Sequence, residues 1–370
     1  MKVTLLTQNL QKKLSFLNHA VSNKTQLPIL LNILLETHNG KLKIHATDLE
    51  IGIETSIPAT ITEEGAITVP ARTFTELIAS LPDDEVTLQT NEETLEVLSK
   101  RTKSVFQTTA KEEFPALYQE KGEKIATLPE EEIKRDFSSV VFAASTDTTR
   151  PALSGVLVRK EAEGFLLVAT DGYRLSLKHY KVTSNTGGED DHSFIVPARV
   201  FKELLSINEE ESTIAMYVSQ GSNQILFEKG ETTLVGRLIE AEFPAFEKII
   251  PSDFSVSVAF DSEEMYKAVK ICSIFARDAA NIIKFSFQKD HIIVSSSSSS
   301  VGENTVKVDA KLSGEENEIA FNARYLLDLF ANIEGKEMVF EMTGPLNAGV
   351  FKLKDDNSFL HLIMPIRVQG

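Results

Sequence analysis

Residues 67–81 read ITVPARTFTELIASL, and the same plan returns twice, as FIVPARVFKELLSIN at 194–208 and IAFNARYLLDLFANI at 319–333. Each copy is a short apolar run, then Pro or Asn, then Ala-Arg, then an amphipathic helix. In the third copy Leu326, Leu329, Phe330 and Ile333 fall at i, i+3, i+4 and i+7, one face of a helix. Phe74, Leu77, Ile78 and Leu81 do the same in the first. Arg72, Arg199 and Arg324 lie 127 and 125 residues apart. That period is too long for a solenoid unit and suits a whole domain. The chain therefore reads as three copies of one α+β domain, at 1–125, 126–252 and 253–370.

The rest of the chain fits that plan. A second helical pattern precedes each copy: Leu10, Leu14, Leu17 and Val21; then Ile133, Phe137, Val140, Val141 and Ala144; then Met265, Val269, Cys272 and Phe275 or Ala276. The last of these opens on Asp261 with Glu264 three positions on, an N-terminal capping pattern. Alternating strand-like runs follow each of these helices, at 33–57, 155–182 and 282–298, with hairpin signals at Asn39-Gly40 and Glu163-Gly164. Ala46-Thr-Asp48 in the first copy returns as Ala169-Thr-Asp171 in the second. Glu113-Phe-Pro-Ala-Leu117 returns as Glu242-Phe-Pro-Ala-Phe246, and the third copy closes on Leu362-Ile-Met-Pro-Ile366. Composition places linkers near Gln119–Pro129 and Pro251–Phe254. The serine run Ser295–Ser300 lies inside a strand pattern and reads as a polar strand end or loop.

Composition bounds the class. The chain has 370 residues, 42% of them hydrophobic, which is ordinary for globular protein with real cores. No apolar run approaches the roughly 18 residues of a membrane helix, and MKVTLLTQNL lacks the pattern of a signal peptide, so the cytoplasm is expected. One cysteine, Cys272, excludes an internal disulfide framework and a cysteine-based zinc site. A formal net charge of −16 favours solubility, yet a basic strip can sit inside an acidic protein.

Catalytic constellations are missing from the sequence. It has no phosphate loop, no GxGxxG after a strand, no HExxH and no metal-ligand spacing among its seven histidines. No cofactor or metal is expected. The repeated Thr-Asp reads as an Asp bonding its own backbone at a turn, and Glu130–Glu132 as carboxylates complementing a helix N-terminus. What recurs instead is base on helix. Lys12, Lys13, Arg72, Lys134, Arg135, Arg199, Lys202, Lys267, Lys270 and Arg324 spread over all six helical segments. Singly each reads as a solvated face; together they suggest one basic surface for a phosphate backbone, without base readout.

The threefold repeat, VPAR before a helix, ATDGYRLS at 169–176, EFPAF at 242–246 and a chain ending in MPIR together resemble the bacterial DNA polymerase III β subunits, the replicative sliding clamps. The likeness runs over residues 1 to about 368, with motifs in order in all three copies. The resemblance implies a head-to-tail homodimeric ring with helices inside and sheets outside. Such a ring encircles duplex DNA, tethers the polymerase and catalyses nothing itself. Implied partners are duplex DNA, the polymerase III catalytic subunit, an ATP-dependent clamp loader, and other polymerases, ligase and mismatch-repair proteins bearing linear motifs.

By the same resemblance, a pocket between the second and third domains takes a short peptide, typically with Gln followed by Leu and Phe. Its residues here are Leu153, Thr170, Gly172, Tyr173, Arg174, Leu175, Pro244, Lys248 and Ile249, with Asn322, Tyr325, Leu362, Met364, Pro365, Ile366 and Arg367. Tyr173 stands where His is common and Lys248 where Arg is common, and Gln369-Gly370 extends the chain, changes expected to retune peptide preference. For DNA the resemblance points to Lys24, Arg72, Arg150, Arg199 and Lys202, and for the ring joint to Phe106 against Ile274 and Phe275. On the residues alone two alternatives stay open: a three-domain scaffold or carrier unrelated to DNA, and a hydrolase using Asp171.

Overall fold

A computed structural model describes residues 1–22, 25–182, 193–278 and 280–367. Among these, six α-helices alternate with antiparallel strands: α1 (Thr7–Leu17), α2 (Ala71–Ser80), α3 (Glu130–Val141), α4 (Ala198–Leu204), α5 (Ser262–Ala276) and α6 (Ala323–Asn332). The helical periodicities account for the buried faces. α2 buries Ala71, Phe74 and Ile78, and α6 buries Ala323, Leu326, Leu329 and Phe330. Asp261 caps α5 by accepting from the Glu264 N–H at 2.9 Å. α1 is shorter than its pattern, since a 3₁₀ turn at Asn18–Ala20 follows it and Val21 is extended. No helix among the described residues is long and apolar enough to cross a membrane.

The chain packs as two compact units. The first holds Met1–Glu130 with Arg199–Leu238; the second holds residues 131–182, 193–198 and 239–367. The middle repeat is thus shared, because its strands extend the sheets of both neighbouring repeats. In the first unit, α1 packs on α2. An eight-stranded sheet there runs, in spatial order, through Glu123–Pro129, Thr213–Ser219, Gln224–Lys229, Thr232–Arg237, Ile51–Pro58, Lys41–Thr47, Asn32–His38 and Ala66–Pro70. A five-stranded sheet ends on Thr102–Gln107. In the second unit α5 packs on α6, and a twelve-stranded sheet is continuous through the pairing of Arg174–Lys181 with Asp356–Ile363. Its core is rich in phenylalanine, with Phe340 against Phe287 at 5.0 Å and Phe351 at 4.9 Å between ring centroids.

One linker reading is corrected. Glu123–Pro129 is a strand, paired with Thr213–Ser219, and only the part of 119–129 before it is loop. Charged composition suggested a linker, but backbone pairing along a sheet edge outweighs it. The hairpin at Asn39-Gly40 forms with left-handed φ of 48° and 74°. Ser295–Ser298 form the end of the His291–Ser298 strand, and Ser299 and Ser300 lie in the turn after it.

Candidate peptide seam and its counterpart

Within the second unit, strand Arg174–Lys181 meets strand Asp356–Ile363, Arg174 opposite Ile363 and Ser176 opposite His361. The turn before this seam is built by its own side chains. Thr170 Oγ1 accepts from the Gly172 N–H at 3.0 Å and donates to the Arg174 carbonyl at 2.6 Å. Asp171 Oδ1 accepts from the N–H groups of Tyr173 and Arg174 at 2.9 and 3.1 Å. Gly172 takes φ 93°, a left-handed conformation costly for other residues, and a Cβ there would meet nothing nearer than Arg150 Nη1 at 4.0 Å. The turn therefore leaves open space at Gly172 with Tyr173 beside it, 62% exposed.

Beneath the turn lies an ionic and aromatic knot. The Arg174 guanidinium is buried, bonding Asp171 at 3.0 Å, Asp328 on α6 at 2.7 Å and the Phe142 carbonyl at 3.0 Å. It also sits over the rings of Tyr325 and Phe142, at 4.7 and 5.5 Å. Two residues before Ile363, His361 is fully buried, its Nδ1 at 2.6 Å from Ser176 Oγ and its ring tilted on Phe142. Burial first, and the neighbouring Arg174 charge second, push the His361 pKa well below the ordinary imidazole value. The Met364 N–H donates to the Tyr173 carbonyl at 2.8 Å and the Ile366 N–H to the Ala320 carbonyl at 2.8 Å, so the chain end runs along the site.

The expected peptide residues divide by depth. Gly172, Tyr173, Pro244, Lys248, Ile249, Met364 and Arg367 are exposed; Leu153, Asn322, Tyr325, Pro365 and Ile366 are half-buried. Thr170, Arg174, Leu175 and Leu362 are buried, and Leu175 and Leu362 join a core cluster with Phe246 of the EFPAF corner. They form a floor and hold the turn, and offer no open surface. Asn322 is the N-cap of α6, its side chain accepting from the Arg324 N–H. The expected set does not include Pro345 and Leu346, where the strand run of the third copy is shifted against the other two. They line a cavity of about 190 Å³ with Ile366, Arg367, Ile319 and Lys284. The available signal is Leu346 itself, a leucine beside Pro in a turn, which is 60% exposed.

The first unit carries a counterpart. Thr232–Arg237 pairs with Ile51–Pro58, Ile51 opposite Gly236 and Ile53 opposite Leu234. Its turn is the same motif. Thr47 Oγ1 accepts from the Leu49 N–H at 3.0 Å and donates to the Ile51 carbonyl at 2.8 Å, while Asp48 Oδ1 accepts from the Glu50 and Ile51 N–H groups. The Arg237 N–H donates to the Glu50 carbonyl at 3.0 Å, as that of Met364 does to Tyr173.

Of the expected DNA residues, Lys24 lies outside the described residues. Arg72 is almost fully exposed, paired with Glu76 at 3.1 Å, and Lys202 is exposed on α4. Arg150 is exposed and lies beside Gly172 at the second seam. Arg199 bonds Asp48 and the His19 carbonyl, so much of its charge is engaged at the first seam. Lys13, Arg135 and Lys267 also have carboxylate partners, Glu209, Asp136 and Glu263. Phe106 is half-buried edge-on to Phe74, whereas Ile274 is 55% exposed and Phe275 half-buried.

Three family models match in order: the DNA polymerase III beta subunit N-terminal domain over residues 1–118, its central domain over 127–245 and its C-terminal domain over 247–367. The beta sliding clamp of Staphylococcus aureus is 31% identical over 363 residues, 94% of each chain, and that of Staphylococcus epidermidis 29% over 361 residues, again 94% of each. Among solved structures, the Bacillus subtilis DNA polymerase sliding clamp superposes with a TM-score of 0.94 at 27% identity, and the Thermotoga maritima DNA polymerase III beta subunit with 0.90 at 26%, each over the whole of both chains. With all three domains matched in sequence and the fold matched end to end, the chain belongs to the DNA polymerase III beta subunit family.

Proposed function

We propose that the chain is a DNA sliding clamp, a processivity factor that holds a replicative polymerase on duplex DNA and performs no catalysis. The observation that carries this reading is likeness to sliding clamps along the full length, through all three tandem domains. In the reading, domains at 1–125, 126–252 and 253–370 of two copies close head to tail into a six-domain ring, helices inward and sheets outward. Thr102–Gln107 supports a joint there, since it is an edge strand with Val105 53% exposed. α5 supplies an apolar face for it, with Ile271 45% and Ile274 55% exposed. Phe106, Ile274 and Phe275 belong to this joint. Arg72, Lys202, Lys24 and, in part, Arg199 and Arg150 meet the phosphate backbone without reading sequence. An ATP-dependent loader opens and closes the ring, in the bacterial cytoplasm at forks on the nucleoid.

The second seam is the docking site for linear peptides of the polymerase, other polymerases, ligase and mismatch-repair proteins. Apolar Tyr173, Ile249, Met364 and Leu346 stand exposed around it, beside polar Lys248 and Arg367, a combination suited to a peptide with apolar anchors. Small-angle X-ray scattering with sedimentation equilibrium tests the ring: a two-chain particle with a hollow-ring distance distribution is expected. A compact single-chain particle at micromolar concentration contradicts tethering. Removal of residues 364–370 is expected to abolish binding of a peptide bearing Gln followed by Leu and Phe while the two-chain mass persists. Retention of full affinity by the shortened chain rejects the seam as the site.

A further inference from the structure

The two seams share a backbone but differ in rim chemistry. Turn hydrogen bonds, strand pairing and the rim bond correspond residue for residue: Leu49 to Gly172, Glu50 to Tyr173, Arg237 to Met364. A cavity of about 80 Å³ lies at the first seam, with Leu49, Glu50, Leu117 and Arg237 among its lining. The cradle exists there, but each position that offers apolar surface or open space at the second seam is filled or charged. Leu49 is 49% exposed and stands where Gly172 leaves room. The Glu50 side chain is 79% exposed, 3.7 Å from Arg199, where Tyr173 presents its ring. Exposed Arg237 stands where Met364 presents its thioether. Below, Leu117 reaches within 2.9 Å of where a Gly52 side chain would begin, so the floor is apolar at both seams.

We infer that Glu50 and Arg237, with Leu49, are specificity-determining residues that close the first seam to the apolar-anchored peptide taken by the second, so that each chain offers one peptide site. The physical reason is desolvation. A Leu or Phe anchor laid over this rim takes the Glu50 carboxylate and the Arg237 guanidinium out of water and offers neither a new partner, while Arg199, 3.7 Å from Glu50, is already engaged by Asp48. Over Tyr173 and Met364 the same anchor buries apolar surface on both sides. This rests on the reading of the second seam as the peptide site.

The test is isothermal titration of the full chain with a synthetic peptide bearing Gln followed by Leu and Phe. The wild-type chain is expected to bind one peptide. The Leu49→Gly, Glu50→Tyr, Arg237→Met chain is expected to bind two, the second within about a hundredfold of the first. A second series carries Tyr173→Glu with Met364→Arg, which empties the second seam; adding the first-seam changes is expected to restore one site. Since Glu50 and Arg237 are exposed, the Glu50→Gln, Arg237→Gln chain keeps its fold and should show a weak second site by NMR shifts at Leu49 and Leu117. Two sites in the wild-type chain, or one site in every first-seam variant with unchanged circular dichroism, overturns the inference. No binding by the wild-type chain removes the second-seam reading itself, and the inference with it.

Discussion

The two seams solve one packing problem with opposite chemistry. At the first, Ile53 faces Leu234, and the seam ion pair of Arg199 with Asp48 lies partly in solvent, the arginine side chain 39% exposed. At the second, the corresponding strand pair is Ser176 with His361, and Arg174 is buried between Asp171 and Asp328. The first seam is an ordinary sheet interior with a wet rim. The second places a charge and a neutral imidazole in its interior while its rim is apolar. Buried charge is weak ground for stability. Here it makes the turn rigid, since Arg174 ties the strand, α6 and the Phe142 carbonyl together beneath the surface that carries Tyr173.

The largest difference between the seams should appear on removing each arginine. Arg174→Ala removes a buried guanidinium that bonds Asp171, the partly exposed Asp328 and the Phe142 carbonyl, and is expected to cost about 2–3 kcal/mol, read as a lowered melting temperature in calorimetry. Arg199→Ala, at the solvated seam, is expected to cost under about 1 kcal/mol. Equal losses at both positions contradict the contrast.

Acid should distinguish them next. Unfolded, His361 takes up a proton near its ordinary value of about 6.5; folded, burial and Arg174 hold it neutral to well below that. The unfolded chain therefore binds more protons as pH falls below that value, so stability is present above it and drains away by up to about 1.4 kcal/mol per pH unit. Asp356 adds a loss at still lower pH. Burial raises its pKa, but bonds from Lys178 and Ser358 outweigh that and hold it at about 2. Ser176→Ala with His361→Leu imports the apolar character of Ile53 and Leu234. Urea titrations of this variant between pH 7 and 5 should show the slope reduced, and an unchanged slope would assign it elsewhere.

The smallest effect concerns the turns. Gly172→Ala forces a Cβ into φ 93° and is expected to cost about 1–2 kcal/mol. Leu49→Gly relieves the same strain at φ 76° but exposes apolar neighbours, so its expected change is within about 1 kcal/mol. A large loss for Leu49→Gly would mean that the leucine packs as core.

Much of this was legible beforehand, for local reasons. The helical faces of α2 and α6, the cap at Asp261, the hairpin at Asn39-Gly40 and the self-bonded aspartates Asp48 and Asp171 follow from periodicity and short-range hydrogen bonding. Where reading failed, the deciding contact was distant. Glu123–Pro129 looks like linker until Thr213–Ser219 lies beside it. Distance also sets depth: Asp48 engages Arg199, and neighbouring strands bury Leu175 and Leu362 as the floor of the second seam.

The sequence by itself determined the threefold repeat, the six amphipathic helices, the turn motifs and the family, because those rest on spacing along the chain. Tertiary structure alone decided which copies of the turn face which strand. Glu50 meets Arg237 and Tyr173 meets Met364 across 187 and 191 residues. Pairing register over such distances is chosen by which apolar faces the folded sheets bury together, and no local pattern encodes it.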